Sequence, residues 1–113
     1  MKTIDAQDKT LGRVASEAAK FILGKHKTDF AKNAVLGEEV KIVNASKIKI
    51  SGDKESQMKY VRYSGYPGGQ KEESYGMLVA RRGHAEAIRR AVYRMLPKNK
   101  LQPRRIKLLT IEK

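Results

Sequence analysis

The stretch KTIDAQDKTLGRVASEAAKFILG, Lys2 to Gly24, switches from strand-like to helical spacing, and that switch decides the fold class. Lys2-Thr3-Ile4-Asp5-Ala6 is strand-like, and the pattern predicts a short strand over Thr3 to Ala6. Asp8-Lys9-Thr10 then supplies turn and N-cap chemistry for a helix beginning near Leu11. Val14, Ala18, Phe21 and Ile22 recur at the i, i+4, i+7, i+8 spacing of one buried helical stripe, and Gly24 fits a left-handed stop.

Working outward, Val40–Val43 and Ile48–Ser51 are β-rich runs on either side of Asn44-Ala45-Ser46-Lys47, with a turn expected at Ser51-Gly52-Asp53-Lys54. Lys59–Tyr63 is a third run of this kind. Three glycines and a proline make Ser64-Gly65-Tyr66-Pro67-Gly68-Gly69 a loop. A short helix is expected from about Glu72 to Arg82, broken by Gly83. A second, from about His84 to Leu96, buries Ile88, Val92 and either Met95 or Leu96 and stops before Pro97. Ile106, Leu108, Leu109 and Ile111 read as a last strand. This order implies an α/β fold, a three-layer α/β/α sandwich around a small, mostly parallel or mixed sheet. Its expected core includes Phe21, Ile22, Ile42, Ile88 and Val92. At 113 residues, with no internal repeat and no linker, residues 1–113 form one domain with a basic C-terminal arm at about 97–107.

Charge narrows the function. The net charge is +13, and residues 81–113 hold eleven Lys and Arg against only Glu86 and Glu112. Seven of the eleven are Arg, whose planar fork binds phosphate oxygens in pairs and stacks on bases. So dense a group of cations repels itself unless a polyanion neutralises it, and nucleic acid is the first candidate. Arg90 and Arg94, four apart, share a helical face, and Glu86 alone cannot neutralise Arg89, Arg90 and Arg94. Beyond Pro97, Lys98-Asn99-Lys100-Leu101-Gln102-Pro103-Arg104-Arg105 reads as an extended arm suited to a phosphate backbone, with Lys107 continuing it. Lys25-His26-Lys27 sits where a helix C-terminus favours cations, so it is either a capping cluster or a set of phosphate contacts. The glycine loop offers backbone for close approach at Gly68 and Gly69 and a stacking ring at Tyr66, flanked by Arg62, Tyr63 and Lys71; the alternative is a plain tight connection.

Catalytic classes find little support. There is no cysteine, and the two histidines, His26 and His84, have no second His at helical spacing, so no metal site and no catalytic residue is assigned. Aligned from Gly65, a Walker loop would need glycine at Gln70 and Ser or Thr at Glu72, and no G-x-G-x-x-G follows the first strand. No cofactor and no small-molecule substrate is expected. The N-terminus lacks an apolar signal region and no apolar run approaches membrane-spanning length, which points to a cytoplasmic protein without a membrane partner.

Six strings, in order and spacing, carry a family resemblance: Thr10-Leu11-Gly12-Arg13, Gly24-Lys25-His26-Lys27, Val43-Asn44-Ala45, Ser64-Gly65-Tyr66-Pro67-Gly68-Gly69, Ala80-Arg81-Arg82 and Met95-Leu96-Pro97. Nearly the whole chain resembles the family of the thirteenth protein of the large ribosomal subunit, bacterial type. The resemblance implies an α/β/α fold, binding to large-subunit ribosomal RNA beside neighbouring large-subunit proteins, an early role in subunit assembly and no catalysis. It adds Arg13, Arg81 and Arg82 to the candidate RNA contacts. The chain departs from the family pattern at Lys32, Asn33 and Val35, where a Pro-His pair and an Asp are usual, and at Glu38, the acid after Gly37. Tyr63 stands for a common His, and Gln102-Pro103 for Gly-Arg. The family's short N-terminal extension and C-terminal tail are also missing from the sequence. Other readings are a free-standing RNA-binding regulator and a small RNA- or nucleotide-acting enzyme.

Overall fold

The computed structural model describes residues 2–28, 34–35, 37–50 and 58–112. The turn expected at 51–54 and the departures at Lys32 and Asn33 lie outside them. Strands β1 (Lys2–Asp5), β2 (Val40–Val43) and β5 (Leu109–Ile111) form a parallel sheet in the order β1-β2-β5. Ile4 pairs with Ile42, Ile42 with Ile111 and Val40 with Leu109, so period-two alternation puts these five side chains on one face. Ile4, Val40 and Ile42 are buried there, and Leu109 and Ile111 pack at the edge of the same core. Thr3, Asp5, Lys41, Val43 and Thr110 take the other face, each exposed or half-buried.

Helix α1 (Leu11–Leu23) covers the apolar face with Leu11, Val14, Ala15, Ala18, Ala19, Ile22 and Leu23. Thr10 stands at its N-cap in extended backbone, but its side chain makes no capping bond. Gly24 ends it in the left-handed region (φ 80°), its N–H donating to the Lys20 and Phe21 carbonyls, as the C-terminal reading requires. Phe21 is half-buried rather than core. The buried arc of α1 centres on Ala15, Ala18 and Ile22, which leaves Phe21 at its margin, with the Lys2 ammonium 5.0 Å above the ring.

The Ile48–Ser51 strand is not formed over its described residues. After a 3₁₀ turn at Ala45–Lys47, the chain makes only one parallel bridge, Lys49 to Thr10, while Ile48 still reaches the core. A larger correction concerns residues 72–74, expected to be helical. β3 (Lys59–Tyr63) and β4 (Gln70–Ser74) pair as an antiparallel hairpin, so Glu72 and Glu73 lie opposite Val61 and Tyr60. The glycine loop is its turn, with Gly65 and Gly68 at positive φ. Helix α2 (Tyr75–Arg82) therefore starts at Tyr75, where the Ser74 hydroxyl accepts the Met77 N–H at 3.3 Å.

Helix α3 (His84–Met95) buries Ala87, Ile88 and Val92 against α1, and Leu96 rather than Met95 completes the stripe. The expected extended arm is instead folded: residues Gln102–Ile106 form α4, with Pro103 in the first turn, where its missing N–H costs nothing. Gln102 donates its side-chain N–H to the Tyr93 carbonyl at 2.7 Å, tying α4 to α3. Ile106 thus belongs to this helix, and the last strand begins at Leu109.

Since Ile88 is fully buried between α3 and its neighbours, Ile88→Ala should cost roughly 2–5 kcal/mol in a denaturant melt. A loss within experimental error would contradict this packing.

Candidate nucleic-acid interface

Period-two alternation in the hairpin puts Tyr60 and Arg62 on one face, and pairing places Lys71 opposite Arg62 and Glu73 opposite Tyr60. That face turns toward the polar side of α3. Tyr60 is buried, and the guanidiniums of Arg90 and Arg94 each lie 5.1 Å from its ring centroid, within cation–π range. Burial pushes the Tyr60 phenol above its usual pKa, with Arg94 and Arg90 pulling the other way. Arg90 Nε also donates to Glu86 at 3.2 Å, an i, i+4 pair along the helix. Tyr60, Arg62, Glu73, Arg90 and Arg94, with Val61, enclose a cleft of about 220 Å³.

The remaining acid of this cleft is already bound. Arg81 grips Glu73 with two parallel bonds, Nε–H to Oε1 at 2.9 Å and Nη2–H to Oε2 at 2.8 Å. The clamp holds the Glu73 carboxyl below its ordinary value and raises the Arg81 guanidinium. Among the described residues, neither Arg62 nor Arg94 has an ion-pair partner. A second hollow, about 210 Å³, adjoins at Arg62 and is lined by Tyr63, Ser64, Gly69 and Lys71. At the hairpin end Tyr63 and Tyr66 are 67% and 74% exposed, and Gly68 lies in the open. Both rings are free to stack on a partner.

Elsewhere the predicted contact residues spread over the surface. Arg13, Arg82, Lys98, Asn99, Lys100, Arg104 and Lys107 are exposed. Lys25 and Asn99 line one cavity of about 510 Å³ walled by Leu23, Met95, Leu96 and Pro97, so the turn after α1 and the segment after α3 are neighbours. His26 packs tilted against Phe21, with ring centroids 4.8 Å apart, and places Nε2 3.4 Å from Glu38, and Lys27 donates its N–H to the Gly24 carbonyl. Arg105 is a correction: its side chain is 1% exposed, and Nη2 donates to the Ala34 carbonyl at 3.2 Å. It is packed inside the fold and is not presented on a binding surface. Sequence reasoning missed Tyr60 and the Glu73–Arg81 clamp. Strand alternation linked Tyr60 to Arg62, but which helix face they meet depends on tertiary packing. Among the described residues, no group of three or more His, Asp or Glu is placed to hold a metal ion. No described helix is long and apolar enough to cross a membrane.

The sequence profile described as ribosomal protein L13 matches residues 1–111. The chain belongs to the ribosomal protein L13 family. It is 46% identical over 108 residues to the large ribosomal subunit protein uL13 of Cupriavidus taiwanensis, covering 96% of this chain and 75% of that one. The uL13 proteins of Syntrophomonas wolfei and Burkholderia vietnamiensis are also 46% identical over 96% of the chain, which covers 74% and 75% of their lengths. Membership in the L13 family makes this a ribosomal protein and not an enzyme.

The Glu73–Arg81 clamp has a pH signature. Because the folded carboxyl is depressed, the clamp stabilises fully above the unfolded value of about 4.3 and is lost as pH falls through the lower folded value. Glu73→Gln should therefore melt earlier than the wild type near neutrality, and the gap should close on acidification. A gap that widens toward acid would contradict the clamp.

Proposed function

We propose that this protein is a structural constituent of the large ribosomal subunit in the cytoplasm, binds large-subunit ribosomal RNA, and joins the subunit early in assembly. Family membership supports the ribosomal setting. The observation that carries RNA binding is the pair of guanidiniums, Arg62 and Arg94, that have no ion-pair partner among the described residues, on a hairpin–helix face whose hairpin end bears two exposed tyrosines. Guanidiniums suit phosphates and exposed rings suit unstacked bases, and RNA offers both within a few nucleotides.

The hairpin end contributes through Tyr66 and through loop backbone at Gly68 and Gly69. Gly68 sits at φ 71°, so Gly68→Val forces a β-branched residue into a conformation it resists and perturbs the loop. Lys98, Lys100, Arg104 and Lys107 add phosphate contacts from the α3–α4 side, and neighbouring large-subunit proteins complete the surroundings.

Co-sedimentation tests the assignment: the protein should stay with large subunits through a high-salt gradient. A chain that sediments free while still binding RNA is a regulator rather than a subunit component. Chemical footprinting of assembled subunits tests the loop. Tyr66→Ala and Gly68→Val should each expose nucleotides that the wild type protects. Unchanged protection in both would make the loop a plain connection.

A further inference from the structure

The cleft between the hairpin and α3 has the composition of an anion seat. Its two walls each bring a cation with no ion-pair partner among the described residues, Arg62 from β3 and Arg94 from α3, while Arg90 stands behind with Glu86. Glu73 also lines the cleft and feels the charges of Arg62 and Arg90, but both its oxygens are held by Arg81. Four guanidiniums thus gather around two carboxylates, leaving excess positive charge around a void with space for several waters. A base does not suit this void, because the aromatic surface at its floor, Tyr60, already lies under two guanidiniums and is buried. The exposed rings of Tyr63 and Tyr66 serve stacking instead.

Resting on the RNA-binding reading above, we infer that this cleft seats a single backbone phosphate of the RNA, gripped by Arg62 and Arg94 from opposite walls, with Tyr60 as the positioning residue. Its face orients Arg90 and Arg94 through cation–π contact, which limits the rotamer freedom lost when phosphate enters. Among the described residues the Tyr60 hydroxyl makes only a loose contact, 3.9 Å to the Met58 sulfur, so the ring rather than the phenol does the positioning. The backbone then passes Arg62 toward Lys71 and the hairpin end, where the bases splay.

Phosphate-ethylation interference on a large-subunit RNA fragment retained by the full chain reads this directly, since each ethylated phosphate loses its charge. For the wild type a discrete set of phosphates should be intolerant of ethylation. Arg62→Gln and Arg94→Gln should each delete the same phosphate from that set, because a contact already lost cannot be lost again. Each should also lower affinity about tenfold and the salt slope by about one. Tyr60→Leu should delete that phosphate too, and Tyr60→Phe should keep the wild-type set. If Arg62→Gln and Arg94→Gln weaken binding but leave the set intact, or delete two separate phosphates, the seat is overturned while RNA binding stands. If the wild type retains no fragment, the RNA-binding reading fails first.

Discussion

The burial of one face of α3 against α1 is the contact on which the rest depends. Ala87, Ile88, Val92 and Leu96 leave water together with the small residues of α1. This fixes the rotation of α3 about its axis, which sets Arg94 just past Ala87 at the edge of the buried arc and Arg90 beyond it. The hairpin packs there and places Tyr60 under both guanidiniums. A single apolar seam thus orients cations on one element against an aromatic ring on another. Without it the charges would still be present, but they would define no cleft.

The sheet shows a similar asymmetry. Parallel pairing of β1, β2 and β5 gathers the apolar side chains on one face, where α1 covers them. On the polar face, Asp5 accepts from the Gln7 N–H at 2.9 Å and from the Asn44 side chain at 3.0 Å. Its carboxyl is held low chiefly by the Asn44 bond. Asn44 adopts a left-handed conformation (φ 57°) that Asn tolerates better than most residues, so it both turns the chain after β2 and ties it to β1.

Elements governed by local spacing were legible in the sequence. Helix α1 has a helical stripe and a terminating glycine, and α3 has a stripe between Gly83 and Pro97. Elements governed by distant partners were not. Glu72 and Glu73 are good helix formers, yet pairing with Lys59–Tyr63 makes them strand, because the glycine turn returns the chain alongside β3. Residues 98–105 read as an extended basic arm suited to a phosphate backbone. Arg105 nonetheless lies inside, since its guanidinium finds a carbonyl at Ala34 that no sequence rule connects to it. The basic character of the interface was legible from composition. Its organising ring, Tyr60, was not, because the ring matters only through the helix face it meets.

The central claim is that the excess positive charge serves to bind polyanionic RNA. The salt dependence of affinity for a large-subunit RNA fragment tests it most directly. The account predicts that log affinity falls linearly with log salt, with a slope of roughly −0.7 to −0.9 per phosphate neutralised and several phosphates in total. Affinity that hardly changes with salt would contradict it.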